Sequence, residues 1–285
     1  MICRKRYRMK FIMLIMFIFP LAVSAKSFGE VKELSLSSEG ISAMEIECGA
    51  GFLKVKGVEG LDEIKVKADI IAGNKKGDKL REFIEDNVEL SLERQRDRAV
   101  LISRIGPQGF SFSFFSMNGP NYRIDLTIEM PVGLNLAIKD GSGNIKLSNI
   151  NGELDIHDGS GSIEVADVKG KVEIHDGSGG IDITNVNGDT EINDGSGSIS
   201  VKGLTGDLVI TDGSGGIKAE DVKGDLDIRD GSGSLWTTDI DGNVRIHDGS
   251  GSIYIDGVSR DVDIAESGSG GVHFENVKGS ISGDL

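Results

Sequence analysis

Two cysteines and four prolines are all that the 285 residues hold of either type. Cys3 precedes an apolar run near the start, and Cys48 stands alone after it, so no internal disulfide is available to the mature chain. No proline falls between residues 140 and 285, which suits strands paired on both edges, because proline removes a ladder hydrogen bond. Aromatic residues make up 5% of the chain, and tryptophan occurs once. Basic residues are outnumbered: 31 Lys and Arg stand against 46 Asp and Glu, a net charge of −15. Such a surface repels nucleic-acid phosphates and excludes nucleic acid as a partner. The sequence also lacks a G-x-S-x-G elbow, a phosphate loop and any Cys/His pair of plausible geometry. It therefore reads as a protein that is not an enzyme and uses no cofactor.

What is present begins with an export signal. Arg4, Lys5, Arg6, Arg8 and Lys10 precede an apolar run from Phe11 to Val23, and Val23-Ser24-Ala25 offers small residues where a signal peptidase reads. Residues 1–25 are expected to be a secretory signal peptide, because the run is too short to span a bilayer comfortably. The five basic residues leave with it, taking the mature chain to −20. No second apolar run follows, so no transmembrane segment is expected in the mature chain. The protein is expected in the periplasm, outside the cell or on its surface.

Glycine is abundant, and 29 of its 41 copies lie in residues 140–285 with no G-X-Y period. Asp-Gly-Ser-Gly begins at Asp140, Asp158, Asp176, Asp194, Asp212, Asp230 and Asp248, a spacing of 18 throughout. Each repeat splits into nine-residue halves, each a Gly-rich turn followed by a short strand of period two. Ile163 and Val165 point one way and Glu164 the other; Val172 and Ile174 repeat the pattern. The second turn carries an aliphatic residue in every copy, such as Ile150, Val168 and Val186, which a solvent-exposed hairpin tip would not need. The pattern predicts an all-β fold, a right-handed single-stranded parallel β-helix (β-solenoid) with 18 residues per coil, rather than an antiparallel meander. Each coil would bury about five aliphatic side chains, at roughly 1.5–3 kcal/mol apiece.

Residues 26–39 read as an N-terminal linker, 40–138 as an irregular first section of the same solenoid, and 139–285 as its regular part. Gly49 to Gly60 overlays the repeat, with Cys48 in the place of the Asp and Ile64 and Val66 filling the second strand after two extra residues. Lys79 to Asp86 predicts a short helix, and Val88–Glu93 and Ala99–Arg104 predict strands joined by a charged turn.

The export signal, Gly49-Ala50-Gly51, the step Met130-Pro131-Val132-Gly133 and glycine-punctuated repeats such as Gly143-Asn144-Ile145 together resemble the putative-adhesin families of bacterial exported proteins, including the head GIN domain type. The resemblance covers nearly the whole mature chain. It implies a right-handed single-stranded β-helix and offers no catalytic residues to carry over. The function expected is that of an exported, non-catalytic, adhesin-like binding protein contacting a glycan or an envelope partner. Alternatives are a structural or stress-related periplasmic scaffold, a polysaccharide-active β-helix enzyme and a calcium-binding β-roll.

Four constellations could carry chemistry. The seven Asp are expected to stack at a solvated corner, each carboxylate accepting backbone N–H bonds in an Asx-turn. A calcium β-roll would place its ligand Asp where this chain has Ile145, Ile163 and their equivalents, so no metal is assigned. Asp158, Asp176, His157 and His175 are the nearest approach to a metal set, and the histidines read better as exposed turn residues. Trp236, Tyr254 and His273 share one outward position in the last three coils, the final step lengthened by an insertion near Glu266. They could bind a sugar or partner, or simply brace the C-terminal coils. Phe110, Phe112, Phe114 and Phe115, in a Gly/Pro-flanked loop, could form a contact patch or cap an end of the solenoid.

Overall fold

Alternation along Ile163-Glu164-Val165 decides which side chains face inward. The computed structural model, which describes residues 29–106 and 122–284, places them accordingly. Ile163, Val165, Val168, Val172 and Ile174 are each at most 1% exposed, whereas Glu164 lies on the solvent side. Equivalent residues of neighbouring coils continue this core from one coil to the next. Ile163 pairs in parallel with Ile145 on one side and Ile181 on the other, and Ile156 does the same with Ile138 and Ile174. All the strands among the described residues fall into two 12-stranded sheets, one for each half of the repeat. Ile163–Val165 and Val172–Ile174 thus lie in different sheets, which rules out the meander. The fold is an all-β solenoid of about eight turns with about 18 residues per turn.

Two corners turn the chain between sheets. At the second, Asn149, Asp167, Asn185, Asp221 and Asp239 have φ between 54° and 57°, and Gly203 and Gly257 take 71° and 73°. Only Asn, Asp and Gly occupy that position because they tolerate the left-handed region best. The reversal swings the following aliphatic residue, Val168 in one coil, back into the core. At the first corner the second glycine of Asp-Gly-Ser-Gly sits directly over its equivalent one coil below. A Cβ on Gly197 would lie 1.5 Å from the carbonyl oxygen of Gly179, at a φ of 144°.

The first section departs from coil order. Strand β1 (Gly29–Ser37) precedes β2 (Ala43–Ala50) and β3 (Leu53–Val58), which form one coil. β4 (Glu63–Ala72), helix α1 (Asp78–Asn87), β5 (Val88–Gln95), β6 (Arg98–Ile105) and β7 (Tyr122–Pro131) follow. β6 pairs in parallel with β2, and β7 with β3, so these strands lie on one side of the opening coil. β8 (Asn135–Ser142) and β9 (Ile145–Ile150) pair with β2 and β3 on the other side. The Val132-Gly133 step therefore carries the chain past the coil it laid first. Cys48 does occupy the Asp place, opposite Asp140.

Two expectations are corrected here. Ile64 and Val66 do not fill a second strand of the opening coil: β4 runs antiparallel to β7 in the same sheet as β3. The reversal passes through Gly60 at φ 70°, and Ile64 and Val66 are buried from that sheet instead. Of the expected linker 26–39, the described stretch Gly29–Ser37 is strand β1 instead. Leu34 and Leu36 alternate with polar residues, and β1 pairs antiparallel with β4, Leu34 opposite Val66 and Leu36 opposite Ile64. β5 pairs antiparallel with β6 in the other sheet. Helix α1, close to its expected limits, turns Leu80, Phe83 and Ile84 into the common core.

Gly197→Ala is expected to destabilise the chain by about 3 kcal/mol or more, since it combines a left-handed-region penalty with a backbone overlap. Gly180→Ala, where the nearest atom would be 3.7 Å away, should change stability by about 0.5 kcal/mol or less. Thermal melting of both variants checks the pair.

Candidate functional site

Successive outward positions of one sheet bring the aromatic column together. Trp236 pairs with Tyr254, and Tyr254 with His273. The Trp236 and Tyr254 rings lie 5.8 Å apart and within 4° of parallel, and the His273 ring follows at 6.2 Å, tilted by 54°. Trp236 and Tyr254 remain 43% and 44% exposed, which is unusual for rings that could fold down onto a sheet. One coil below, Gly216 stands where several coils have Ser; a Cβ there would meet the indole at 3.9 Å, so the ring reclines over an open glycine. Thr238, Asp256 and Glu275 hold the next outward position along the same strands, and Glu275 reaches His273 Nε2 at 3.1 Å. An apolar strip flanked by a row of hydrogen-bond acceptors results.

The Asp column is ordered as the Asx-turn reading requires but is not solvated. Asp140 to Asp248 pair with one another coil by coil, and each is between 0% and 8% exposed. From Asp158 onward, Oδ1 accepts the backbone N–H of the Ser two residues on, at 3.0 to 3.3 Å, while Asp140 Oδ1 accepts from Gly141. The adjoining glycine N–H bonds to the Asp carbonyl one coil below, for example Gly195 to Asp176 at 3.0 Å. The expectation of a solvated corner is overturned because Asp falls on the inward phase of its strand, two residues after Ile156 or Ile174. Burial raises the carboxyl pKa of every member, to about 7 in Asp140 and about 6 in Asp176 and Asp230.

His157 and His175 stack at 4.7 Å on an exposed strand face, not in a turn, each beside an acidic neighbour, Asp155 or Glu173. Asp158 and Asp176 point inward from the next residues, so these four side chains do not converge. Among the described residues no group of three or more His, Cys, Asp or Glu could hold a metal ion. Phe110, Phe112, Phe114 and Phe115, and the signal-peptide residues 1–25, lie outside the described residues. No helix among those described is long and apolar enough to cross a membrane.

Sequence reasoning missed a second ladder on an exposed corner. Oδ1 of Asp189 accepts the backbone N–H of Asp207, Asp207 that of Asp225, Asp225 that of Asn243, and Asp261 that of Ser280. The signal was there: that position holds Asn, Asp or another short polar residue over several coils.

Inward aliphatics, two corner ladders and one outward aromatic strip define a repeat solenoid with a decorated flank. Residues 54–278 match the Toastrack DUF4097 family, and the chain belongs to it. The resemblance drawn from the glycine motifs and the export signal thus holds at the level of the family. No curated protein matches the chain. Among solved structures it is similar to a putative lipid binding protein from Parabacteroides distasonis (12% identity, 88% of this chain and 96% of that one, TM-score 0.44). It is also similar to a putative adhesin from Bacteroides fragilis (13%, 90% and 97%, TM-score 0.36) and a putative cell adhesion protein from Clostridium sporogenes (13%, 89% and 97%, TM-score 0.26).

Folding is expected to need no calcium. Melting with and without excess chelator should differ by less than about 10 °C, the shift that losing a few kcal/mol would bring.

Proposed function

We propose that the protein is an exported, non-catalytic binding solenoid whose recognition element is the strip of Trp236, Tyr254 and His273, and that its ligand is a glycan. One observation carries this reading: two parallel, stacked and half-exposed rings held one coil apart on a rigid sheet, with Thr238, Asp256 and Glu275 along their flank. Sugar rings present an apolar face that packs on aromatic rings and edge hydroxyls that donate to carboxylates. The coil spacing sets the distance between rings, so no ordering of a loop opposes binding. Elsewhere this outward position carries Lys146, Glu164, Asp182, Ser200 and Lys218, polar groups that offer a sugar no apolar face. An envelope protein is the second reading, since exposed aromatic residues also anchor protein contacts.

Fractionation of cells should place the mature chain outside the cytoplasm, after removal of residues 1–25. A screen of immobilised glycans and envelope proteins then identifies the ligand. Trp236→Ala is expected to leave the melting temperature within about 2 °C while weakening binding by roughly 30-fold, the effect of losing a hot-spot residue. Loss of C-terminal stability with affinity intact would make the column a brace and the protein a scaffold.

A further inference from the structure

The buried Asp column poses a problem that its turn role does not solve. Each of the seven carboxyls uses Oδ1 for a backbone N–H, while Oδ2 of Asp158, Asp176, Asp194, Asp212, Asp230 and Asp248 is buried and has no hydrogen-bond partner; Asp140, equally buried, has the Cys48 thiol as its side-chain partner. Parallel strands hold neighbours about 4.8 Å apart. Seven ionised carboxylates at that spacing, away from water, would set like charges facing one another with a single backbone N–H apiece to stabilise them. The column also ends in neutral groups. Cys48 takes the Asp position next to Asp140. At the far end, after the register shift beside His247, buried Ser267 follows Glu266 and precedes Gly268, which stacks on Gly249, so Ser267 takes the place of an eighth Asp.

We propose that the Asp column is a proton-binding site, in which part of the seven carboxyls hold protons in the folded protein at neutral pH and give them up on unfolding. A protonated carboxyl is a donor, so it can bond to the orphaned oxygen of the carboxylate one coil away, which two ionised neighbours cannot do. The titratable groups acting on the column are its own members, Cys48 beside Asp140, and Glu266 and His247 beside Asp248. Burial raises the Cys48 thiol above its usual range, so it stays neutral. Asp97, Glu173, Glu220 and Asp261 sit outside the column, and hydrogen bonds hold their carboxyls below the usual range.

A carboxyl whose folded pKa is raised binds more protons when folded, so stability grows as pH falls through about 7 to 6 and stops growing near the unfolded value of about 4. The four carboxyls outside the column act in the opposite sense, but only below that unfolded value. Acidification from about pH 8 to about pH 5 should therefore raise the melting temperature of the full chain, by ~5 °C or more. Infrared spectra of the native protein at neutral pH should show a protonated-carboxyl C=O band that disappears on unfolding. Asp194→Asn keeps the Oδ1 acceptor and replaces the orphaned oxygen with an NH₂ donor. That variant should melt higher than the native chain at about pH 8 and show a shallower pH dependence. A melting temperature that is flat or falls over this range, with no such band, would overturn the proposal. So would a band-free native protein stabilised at about pH 8 by calcium or potassium chloride, because cations would then occupy the column.

Discussion

Everything in this molecule depends on one constraint: each residue must sit directly over its equivalent 18 positions earlier, at the spacing of a parallel sheet. The constraint is harshest at the first corner, where the carbonyl oxygen of one coil occupies the volume a side chain would need in the next, as Gly197 over Gly179 shows. It is loosest on the outward faces, where Lys146, Glu164, Asp182 and Ser200 succeed one another freely. Tolerance to substitution thus alternates along each strand with the pleat. Binding residues can accumulate only on the tolerant side, and Trp236 and Tyr254 lie there.

The same stacking turns single-residue features into columns. An Asx-turn in a globular domain is a local device with one carboxylate and one N–H. Repeated in register it becomes a buried row whose members act on one another. The outward Trp236–Tyr254 pair shows the favourable side of this, since flat rings at the interstrand spacing gain contact area. The Asp row shows the unfavourable side, since like charges at the same spacing gain repulsion. The protons proposed above relieve the second case; nothing extra is needed in the first.

The regular coils were legible because every level of the sequence agreed: period two within strands, Gly and Asn/Asp at corners, and an aliphatic residue after the second turn. The insertion near Glu266 was legible too, and appears as the register shift beside His247. Two things were not. Pairing partners in the first section depend on which strand returns to which edge, and Ile64-Lys65-Val66 alternates equally well for either sheet. The burial of the Asp column went unread because Asp is usually exposed, and that expectation outweighed the strand phase, in which Ile156, Asp158 and Ile174, Asp176 share one face. Of the candidate binding residues, the aromatic column was legible as a shared outward register. Its flank of Asp256 and Glu275 emerges only when the neighbouring strands are set side by side.

The antiparallel strands β1, β4 and β5 gather at one end, and from β8 to the register shift beside His247 the chain is modular. Duplicating or excising one whole unit between Asp140 and Asp248 leaves every remaining residue over one in the equivalent position, with glycine over glycine and Asp over Asp, so the rod can change length in steps of one interstrand spacing. A change of any other size must be absorbed locally, as the single-residue insertion beside His247 is by a register shift that keeps Gly268 over Gly249. Gene-level slippage by whole coils is thus the change this geometry accepts most readily.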